Sequence, residues 1–149
     1  MISQSDVVGI VKQCVKYGQF ELHSGKRSNW ICDLLEAKEF FKHFVYLLVP
    51  RHTLVGIEFG GALLVASTKT NYGIVRKDSN FYAPGLIKDG RIITLVDDVV
   101  TTEDSFRHAE MILNHYSISV GERLVVLDRR KEITLPIRSL VTAQMLGFD

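Results

Sequence analysis

The first half of the chain opens with a helical pattern and then mixes short strands with one longer helix. Apolar residues recur at helical spacing from Val7 to Val15, with Ser3 or Ser5 as a candidate cap. Gly18 stands where a terminating glycine is expected. The next predicted elements are strands at residues 20–22 and 28–34 and a helix at residues 36–48.

From residue 53 onward, near-continuous apolar runs alternate with helical patterns. Such runs are typical of parallel strands buried on both faces, and their alternation with helices indicates an α/β fold. The predicted strands are residues 53–57, 73–76, 91–96 and 123–127, and the predicted helices are residues 62–67 and 103–114. The polar stretch 77–90 is expected to be a long loop, either a lid or a connector.

Composition agrees with a single globular domain over residues 1–149. The chain has 149 residues, of which 46% are hydrophobic and 23% are charged. Its net charge is +1, and its Lys and Arg residues are dispersed, which argues against a nucleic-acid binder.

The sequence carries no sign of a membrane or secreted protein. No apolar run reaches the roughly 18 residues of a bilayer span, and the N-terminus has no signal-peptide pattern. The cysteines Cys14 and Cys32 are too few for a disulfide framework or a metal site. We therefore expect a cytoplasmic protein that does not bind membranes.

Polar residues or glycines follow three of the predicted strands. They occupy residues 58–61, 97–105 and 128–130. Ligands of parallel α/β sheets bind at the carboxyl ends of the strands, so these three segments are the predicted site.

The segment 97–105 has the chemistry of a sugar-phosphate site. Asp97 and Asp98 can accept hydrogen bonds from sugar hydroxyls or hold hydrated Mg²⁺. Thr101, Thr102 and Ser105 place hydroxyls and backbone N–H groups at a predicted helix N-terminus, which suits a phosphate. The alternative is that the aspartates only mark a strand leaving the core and that a threonine only caps the helix.

This segment resembles the phosphoribosyl pyrophosphate (PRPP) motif of type I phosphoribosyltransferases, which has two acidic residues, two apolar residues and then Thr-Thr-Gly-x-Ser/Thr. The chain is similar to orotate phosphoribosyltransferases in particular. The matching blocks are residues 18–28, 55–62, 75–77 and 126–132, in the order of that family. The resemblance implies a type I phosphoribosyltransferase-like fold: a central, mostly parallel sheet flanked by helices, with a small N-terminal hood.

The resemblance also implies an activity, the transfer of ribose 5-phosphate from PRPP to a nucleobase, most simply orotate. Asp97 and Asp98 would be catalytic, holding the ribose hydroxyls and favouring an oxocarbenium-like state, and Asp98 would bind Mg²⁺. The residues implied to bind PRPP are Arg76, Lys77, Asp97, Asp98, Thr101, Thr102 and Ser105.

Four residues are implied to bind the base: Lys26, Ile31, Cys32 and Arg129. Arg129 would pair with the orotate carboxylate, whereas the alternative is a surface salt bridge with Asp128 or Glu132. Trp30, in the same segment, is expected to be a core residue. The family also implies a homodimer.

The sequence departs from the family pattern at five positions. His23, Gly60, Asn80 and Tyr82 stand where the family carries basic residues, and Glu103 replaces the glycine of the phosphate loop. A carboxylate beside a phosphate costs roughly 1–4 kcal/mol at effective dielectrics between water and protein surface. These departures support an alternative function, a catalytically weakened regulatory protein that binds PRPP or a nucleotide.

Overall fold

The computed structural model describes residues 3–22, 25–78, 80–82 and 91–148. The elements in chain order are α1 (Gln4–Gln13), β1 (Val15–Glu21), β2 (Arg27–Cys32), a 3-10 helix (Leu34–Phe40), α2 (Phe41–Leu47), β3 (Thr53–Ile57), α3 (Gly60–Ala66), β4 (Tyr72–Val75), β5 (Phe81–Tyr82), β6 (Ile92–Val100), α4 (Asp104–His115), β7 (Ser119–Asp128), β8 (Arg138–Thr142) and a second 3-10 helix (Gln144–Leu146). No helix within these described ranges has the length and apolar character needed to cross a membrane.

Helix α1 is shorter than the apolar pattern predicts. Ser3 caps it: the Ser3 hydroxyl accepts a hydrogen bond from Asp6 N, and the Asp6 carboxylate accepts one from Ser3 N. The helix stops before β1, because β1 pairs antiparallel with β2, with Val15 opposite Cys32. Gly18 therefore lies within a strand and does not terminate the helix. The β1–β2 hairpin is the expected N-terminal hood.

The helix predicted at residues 36–48 is two shorter pieces. The Asp33 carboxylate accepts a hydrogen bond from Leu35 N at 3.1 Å and starts the 3-10 helix. Ala37 then leaves helical dihedral angles, with φ −103° and ψ 30°, before α2 begins. Apolar spacing does not distinguish a 3-10 turn from an α-helical one, so the sequence pattern predicts one helix where the structure has two.

Six strands form one sheet in the order β5-β4-β3-β6-β7-β8. Only the β4–β5 pair is antiparallel among the described strand pairs of this sheet, which confirms the mostly parallel α/β fold. Strand β5 lies inside the predicted loop 77–90, of which residues 79 and 83–90 are outside the described part. Strand β8 was not predicted, because this edge strand buries only Val141 and has a weak apolar signal.

Strand β6 continues past its predicted end at Val96. Asp97 pairs with Val125 and Val100 pairs with Asp128, so both aspartates lie within the parallel ladder between β6 and β7. The interpretation of the aspartates as the end of a strand is therefore wrong. Backbone pairing, rather than side-chain polarity, decides where β6 ends.

Helices cover the sheet on both faces. On one face α2 and α3 bury Phe44 and Leu64, and on the other face α4 buries Phe106. The consecutive β6 residues Leu95 and Val96 belong to the two opposite cores, as the two-residue period of a strand requires. Because both faces are filled, ligand access is left to the ends of the strands.

Candidate active site

A cavity of about 350 Å³ opens at the carboxyl ends of β3, β6 and β7. The predicted segments 58–61, 97–105 and 128–130 all contribute to its wall, and the β1–β2 hairpin closes one side. The charged and hydroxyl-bearing residues of the wall are Glu21, Asp33, Glu58, Lys77, Asp97, Asp98, Thr101, Thr102, Ser105 and Arg129.

The two aspartates of β6 have different surroundings. Asp97 is 8% exposed, and its Oδ1 accepts a hydrogen bond from Asp98 N at 2.9 Å. Burial, followed by the charge of Asp98, raises the pKa of Asp97 well above its usual value. Asp98 is only partly buried, and its Oδ1 accepts a hydrogen bond from Val99 N at 2.8 Å. Asp98 is therefore the carboxylate more accessible to a ligand.

Two glycines at the start of α3 allow this helix to approach β6. A Cβ atom at Gly60 would overlap the carboxylate of Asp98, and one at Gly61 would overlap the carbonyl oxygen of Val96. Gly60 is the position where the resembling family carries a lysine. With the backbone and Asp98 as they lie here, the cavity has no room for a side chain at residue 60.

Thr101, Thr102 and Ser105 line the cavity beside the start of α4. Helix α4 begins at Asp104 with Glu103 in the cap position and no side-chain cap bond, so the alternative of a threonine acting only as a cap is wrong. The first backbone N–H groups of a helix have no intrahelical acceptor, and with the three hydroxyls they suit a phosphate.

Glu103, the residue in place of the family's glycine, is absent from the wall of this cavity. Its carboxylate accepts hydrogen bonds from Arg130 Nη1 at 2.8 Å and from Thr134 N at 2.7 Å. Burial alone would raise the pKa of Glu103, but hydrogen bonds from Thr134, Leu135 and Arg130 outweigh it and hold the pKa far below its usual range. The Arg130 guanidinium therefore neutralises the Glu103 carboxylate, whose charge the sequence predicted to lie beside a bound phosphate.

Arg76 and Lys77 follow β4, but they contribute differently. Lys77 lines the cavity, and its backbone N donates to Glu58 Oε1 at 3.0 Å. Arg76 is not part of the described wall. Its side chain is 55% exposed, with Nε 3.6 Å from Glu58 Oε2 and Nη2 4.0 Å from Asp78 Oδ2.

The residues predicted to bind the base are divided between two adjoining cavities. Ile31 and Cys32 line the first cavity, and Lys26 lines a second cavity of about 1010 Å³. Arg129 lines both. Burial raises the pKa of the Cys32 thiol to about 12, so this thiol carries no charge at neutral pH.

Arg129 is held against the hairpin. Its Nη1 donates to Trp30 O at 3.2 Å, its Nη2 donates to Ser28 Oγ at 2.7 Å, and its Cζ lies 3.6 Å from the centre of the Trp30 ring. The alternative of a salt bridge from Arg129 to Asp128 or Glu132 is wrong, because the guanidinium binds Trp30 and Ser28 instead and the ion pair of Asp128 is with Arg130. Trp30 is a core residue, as predicted, and it also supports Arg129.

The charge balance of the first cavity fits a divalent cation. Of the described residues in its wall, five carry carboxylates and two, Lys77 and Arg129, carry positive charge. No group of three or more His, Cys, Asp or Glu residues in the described ranges could hold a metal by itself. Mg²⁺ is commonly held by one or two carboxylates together with substrate phosphates, so Asp98 fits this role with a phosphorylated substrate.

The remaining departures from the family lie at the edge of the site or beyond the described residues. Tyr82 is exposed on β5, and the backbone oxygen of Asn80 accepts a hydrogen bond from Arg76 N. His23 is outside the described residues. Sequence reasoning missed the position of Glu58 between Arg76 and Lys77 and the partners of Glu103, because these contacts join residues far apart in the chain.

No family model matches the sequence. An orotate phosphoribosyltransferase of Methanopyrus kandleri is 32% identical over 91% of this chain and 83% of its own length. One from Thermoplasma volcanium is 31% identical over 78% of this chain and 79% of its own length. The crystal structure of Mycobacterium tuberculosis orotate phosphoribosyltransferase in complex with PRPP superposes with a TM-score of 0.76 at 18% identity, covering 97% of this chain and 99% of that one. The fold is therefore the one that the sequence motifs implied, and the chain belongs to the orotate phosphoribosyltransferase family.

Proposed function

We propose that this protein transfers the 5-phosphoribosyl group of PRPP to a ring nitrogen of orotate and releases pyrophosphate. The observation that carries the proposal is the single cavity that unites the Asp97–Asp98 pair, the hydroxyl-bearing turn before α4, Lys77 and Arg129. These groups match, in order, a ribose, a phosphate, a pyrophosphate and an anionic base.

The aspartates act at the ribose. Asp98, the more accessible carboxylate, would hold Mg²⁺ together with the phosphorylated substrate, and the cation would supply positive charge against the pyrophosphate. Asp97 and Asp98 hold the 2′- and 3′-hydroxyls, and the charge of Asp98 stabilises the positive charge that develops at the ribose C1 carbon.

The two anionic ends of PRPP bind on either side of the aspartates. Thr101, Thr102 and Ser105 hold the 5′-phosphate at the start of α4. Lys77 meets the pyrophosphate, and Arg76 joins it by leaving its exposed contacts with Glu58 and Asp78, which cost little to break because exposed ion pairs contribute at most about 1 kcal/mol.

Arg129 binds the carboxylate of the base. Its described hydrogen bonds to Trp30 and Ser28 use two of the five N–H donors of a guanidinium, so donors are left for a carboxylate. Ile31 and the uncharged Cys32 form the adjoining wall. Lys26, which lines the neighbouring cavity, supplies a second positive charge on the same side.

A direct assay tests the proposal. Protein, PRPP, Mg²⁺ and orotate are mixed, and orotate absorbance and pyrophosphate release are followed together. We expect equal consumption of orotate and production of pyrophosphate, with Asp98→Asn slower by about two orders of magnitude or more because it removes preorganised charge. The exposed Glu39→Gln variant, which lines neither cavity, is the matched control and should retain activity. Flat traces with the unmodified protein at high concentration contradict the proposal.

The second candidate function is PRPP binding without turnover. It is favoured by the pyrophosphate end of the cavity, where Gly60 carries no side chain and Arg76 is engaged with Glu58 and Asp78. Calorimetry with PRPP and Mg²⁺ separates the two functions: tight binding together with flat assay traces supports the regulatory protein. The expected homodimer and cytoplasmic location stay predictions.

A further inference from the structure

The carboxylate of Glu103 joins the start of α4 to the turn that follows β7. Besides Arg130 Nη1 and Thr134 N, it accepts hydrogen bonds from Leu135 N at 2.9 Å, from Arg107 Nη2 at 3.0 Å and from the Thr134 hydroxyl. Glu103 is 8% exposed. Buried polar groups are normally satisfied by hydrogen bonds, and here the donors come from both segments. The carboxylate of Glu103 therefore holds the two segments in a defined arrangement.

Arg130 completes the connection from the other side. Its side chain is 2% exposed; Nε and Nη2 bind both oxygens of Asp128, and Nη1 donates to Leu135 O at 2.8 Å. The turn 128–135 is therefore closed around one buried guanidinium. A buried charge that loses its partner is costly, so this turn has little freedom to adopt another geometry while Glu103 is present.

Arg129 directly precedes Arg130 in the chain, and its guanidinium is held by hydrogen bonds to Trp30 and Ser28 of the hairpin. It covers one face of Trp30, with its Cζ 3.6 Å from the ring centre, while Phe148 stacks on the same ring at 4.0 Å and 2°. Since both groups lie so near the ring centre, they occupy opposite faces. The Arg129 backbone N donates to Val100 O at 2.9 Å, and the chain then runs directly into the turn that Glu103 holds. The position of Arg129 therefore depends on the hairpin, on the end of β6 and on this turn.

We propose that Glu103 is a positioning residue that fixes Arg129 relative to the hydroxyl-bearing turn 101–105, and thereby sets the affinity of the site for its anionic acceptor base. The inference rests on the proposed function for the identity of the base. Three links support it: Glu103 binds the Arg130 guanidinium, the backbone joins Arg130 to Arg129, and the Arg129 guanidinium lies on Trp30. A glycine at residue 103 could make none of these side-chain contacts.

The single tryptophan of the chain provides a readout that needs no activity. We expect Glu103→Gln to change the emission of Trp30 in the same direction as Arg129→Ala, which removes the guanidinium from the ring. Glu132→Gln, a carboxylate change in the same turn, should leave the emission unaltered. The double variant Glu103→Gln/Arg129→Ala should emit like Arg129→Ala alone. Emission of Glu103→Gln equal to that of the unmodified protein overturns the proposal.

Kinetics supply the second readout. We expect Glu103→Gln to raise the KM for orotate about tenfold, with a smaller change in kcat and in the KM for PRPP, because a displaced Arg129 weakens base binding first. Equal losses in all three parameters, or a larger effect on PRPP, would mean that Glu103 serves only stability or the phosphate turn.

If Glu103→Gln does not fold, Thr134→Val removes one donor to Glu103 and should give smaller changes of the same kind in emission and in the KM for orotate. A folded Thr134→Val protein that changes neither readout overturns the proposal.

The two proposals fail in different ways. Absence of turnover in the unmodified protein contradicts the proposed function and leaves the Trp30 emission result standing. Normal turnover with unchanged Trp30 emission in the Glu103→Gln variant contradicts only the positioning role.

Discussion

Asp97 and Asp98 are adjacent residues of one type, yet their positions in β6 give them different properties. Both line the cavity, but Asp97 is almost fully buried whereas Asp98 is only partly buried. The raised pKa of Asp97 means that its ionised form is disfavoured in the folded protein. Functional groups that are buried beside a like charge commonly reduce the stability of the folded protein.

Asp97→Asn should make the protein more stable at neutral pH and less active. Because the folded pKa of Asp97 is raised above the usual 3.8, the folded state holds a proton that the unfolded state has released, and stability falls as pH rises through this window. We expect the free energy of unfolding to increase by on the order of 1 kcal/mol at neutral pH and to show no gain below about pH 4. Urea unfolding at several pH values measures this, and equal stability at neutral pH contradicts it.

Gly60→Ala should reduce activity while leaving the fold intact. The added Cβ would overlap the Asp98 carboxylate, which must then move out of place. We expect kcat to fall about tenfold or more, since small displacements of catalytic groups are costly. Gly9→Ala is the matched control, because a Cβ there meets nothing within 4 Å and should stabilise α1 by roughly 0.5–1 kcal/mol without changing kcat. Steady-state kinetics and thermal unfolding of both variants check this.

At the scale of elements, the turn between β7 and β8 and the start of α4 behave as one unit. They are joined through Glu103, Arg130 and Asp128, so the hydroxyl-bearing turn 101–105 and the segment carrying Arg129 share one buried cation. Local propensity does not predict this arrangement. Residues 103 and 130 meet only because β6 and β7 are neighbouring parallel strands.

Arg130→Met should destabilise the protein by about 3–5 kcal/mol, because it leaves the Asp128 carboxylate without its cation and removes the buried cation that pairs with Glu103. Arg107→Met is the matched control. Arg107 also donates to Glu103, but its side chain is 53% exposed, so its loss should cost less than about 1 kcal/mol. Chemical denaturation of the two variants measures the difference, and similar losses in both would show that burial is not what makes Arg130 important.

At the scale of the whole molecule, an excess of carboxylates surrounds the cavity in which PRPP is proposed to bind. Such a cavity repels a polyanion unless a cation accompanies it. The same carboxylates make the cavity suitable for a metal-bound substrate. We therefore expect a Mg²⁺ dependence of PRPP binding to come from the whole cavity wall and not from Asp98 alone.

PRPP should stabilise the protein against heat only when Mg²⁺ is present. At about 100 times the dissociation constant, a ligand adds roughly 2.7 kcal/mol, which for a chain of this size raises Tm by roughly 5–10 °C. We expect this shift with PRPP and Mg²⁺ and a much smaller one with PRPP and a chelator. Differential scanning calorimetry measures both. An equal shift in the presence of the chelator would exclude the metal-bound form of the substrate.

The sequence alone determined the α/β class, the order of most helices and strands, and the segments that meet at the site. These follow from apolar periodicity and from chemistry concentrated in short stretches such as residues 97–105, both of which are local signals. Only the tertiary structure decided that β6 runs on to Val100, that Gly60 lies against Asp98 and that Glu103 is neutralised by Arg130. Each of these depends on which strands become neighbours, and contacts between residues far apart in the chain leave no periodic pattern in its sequence.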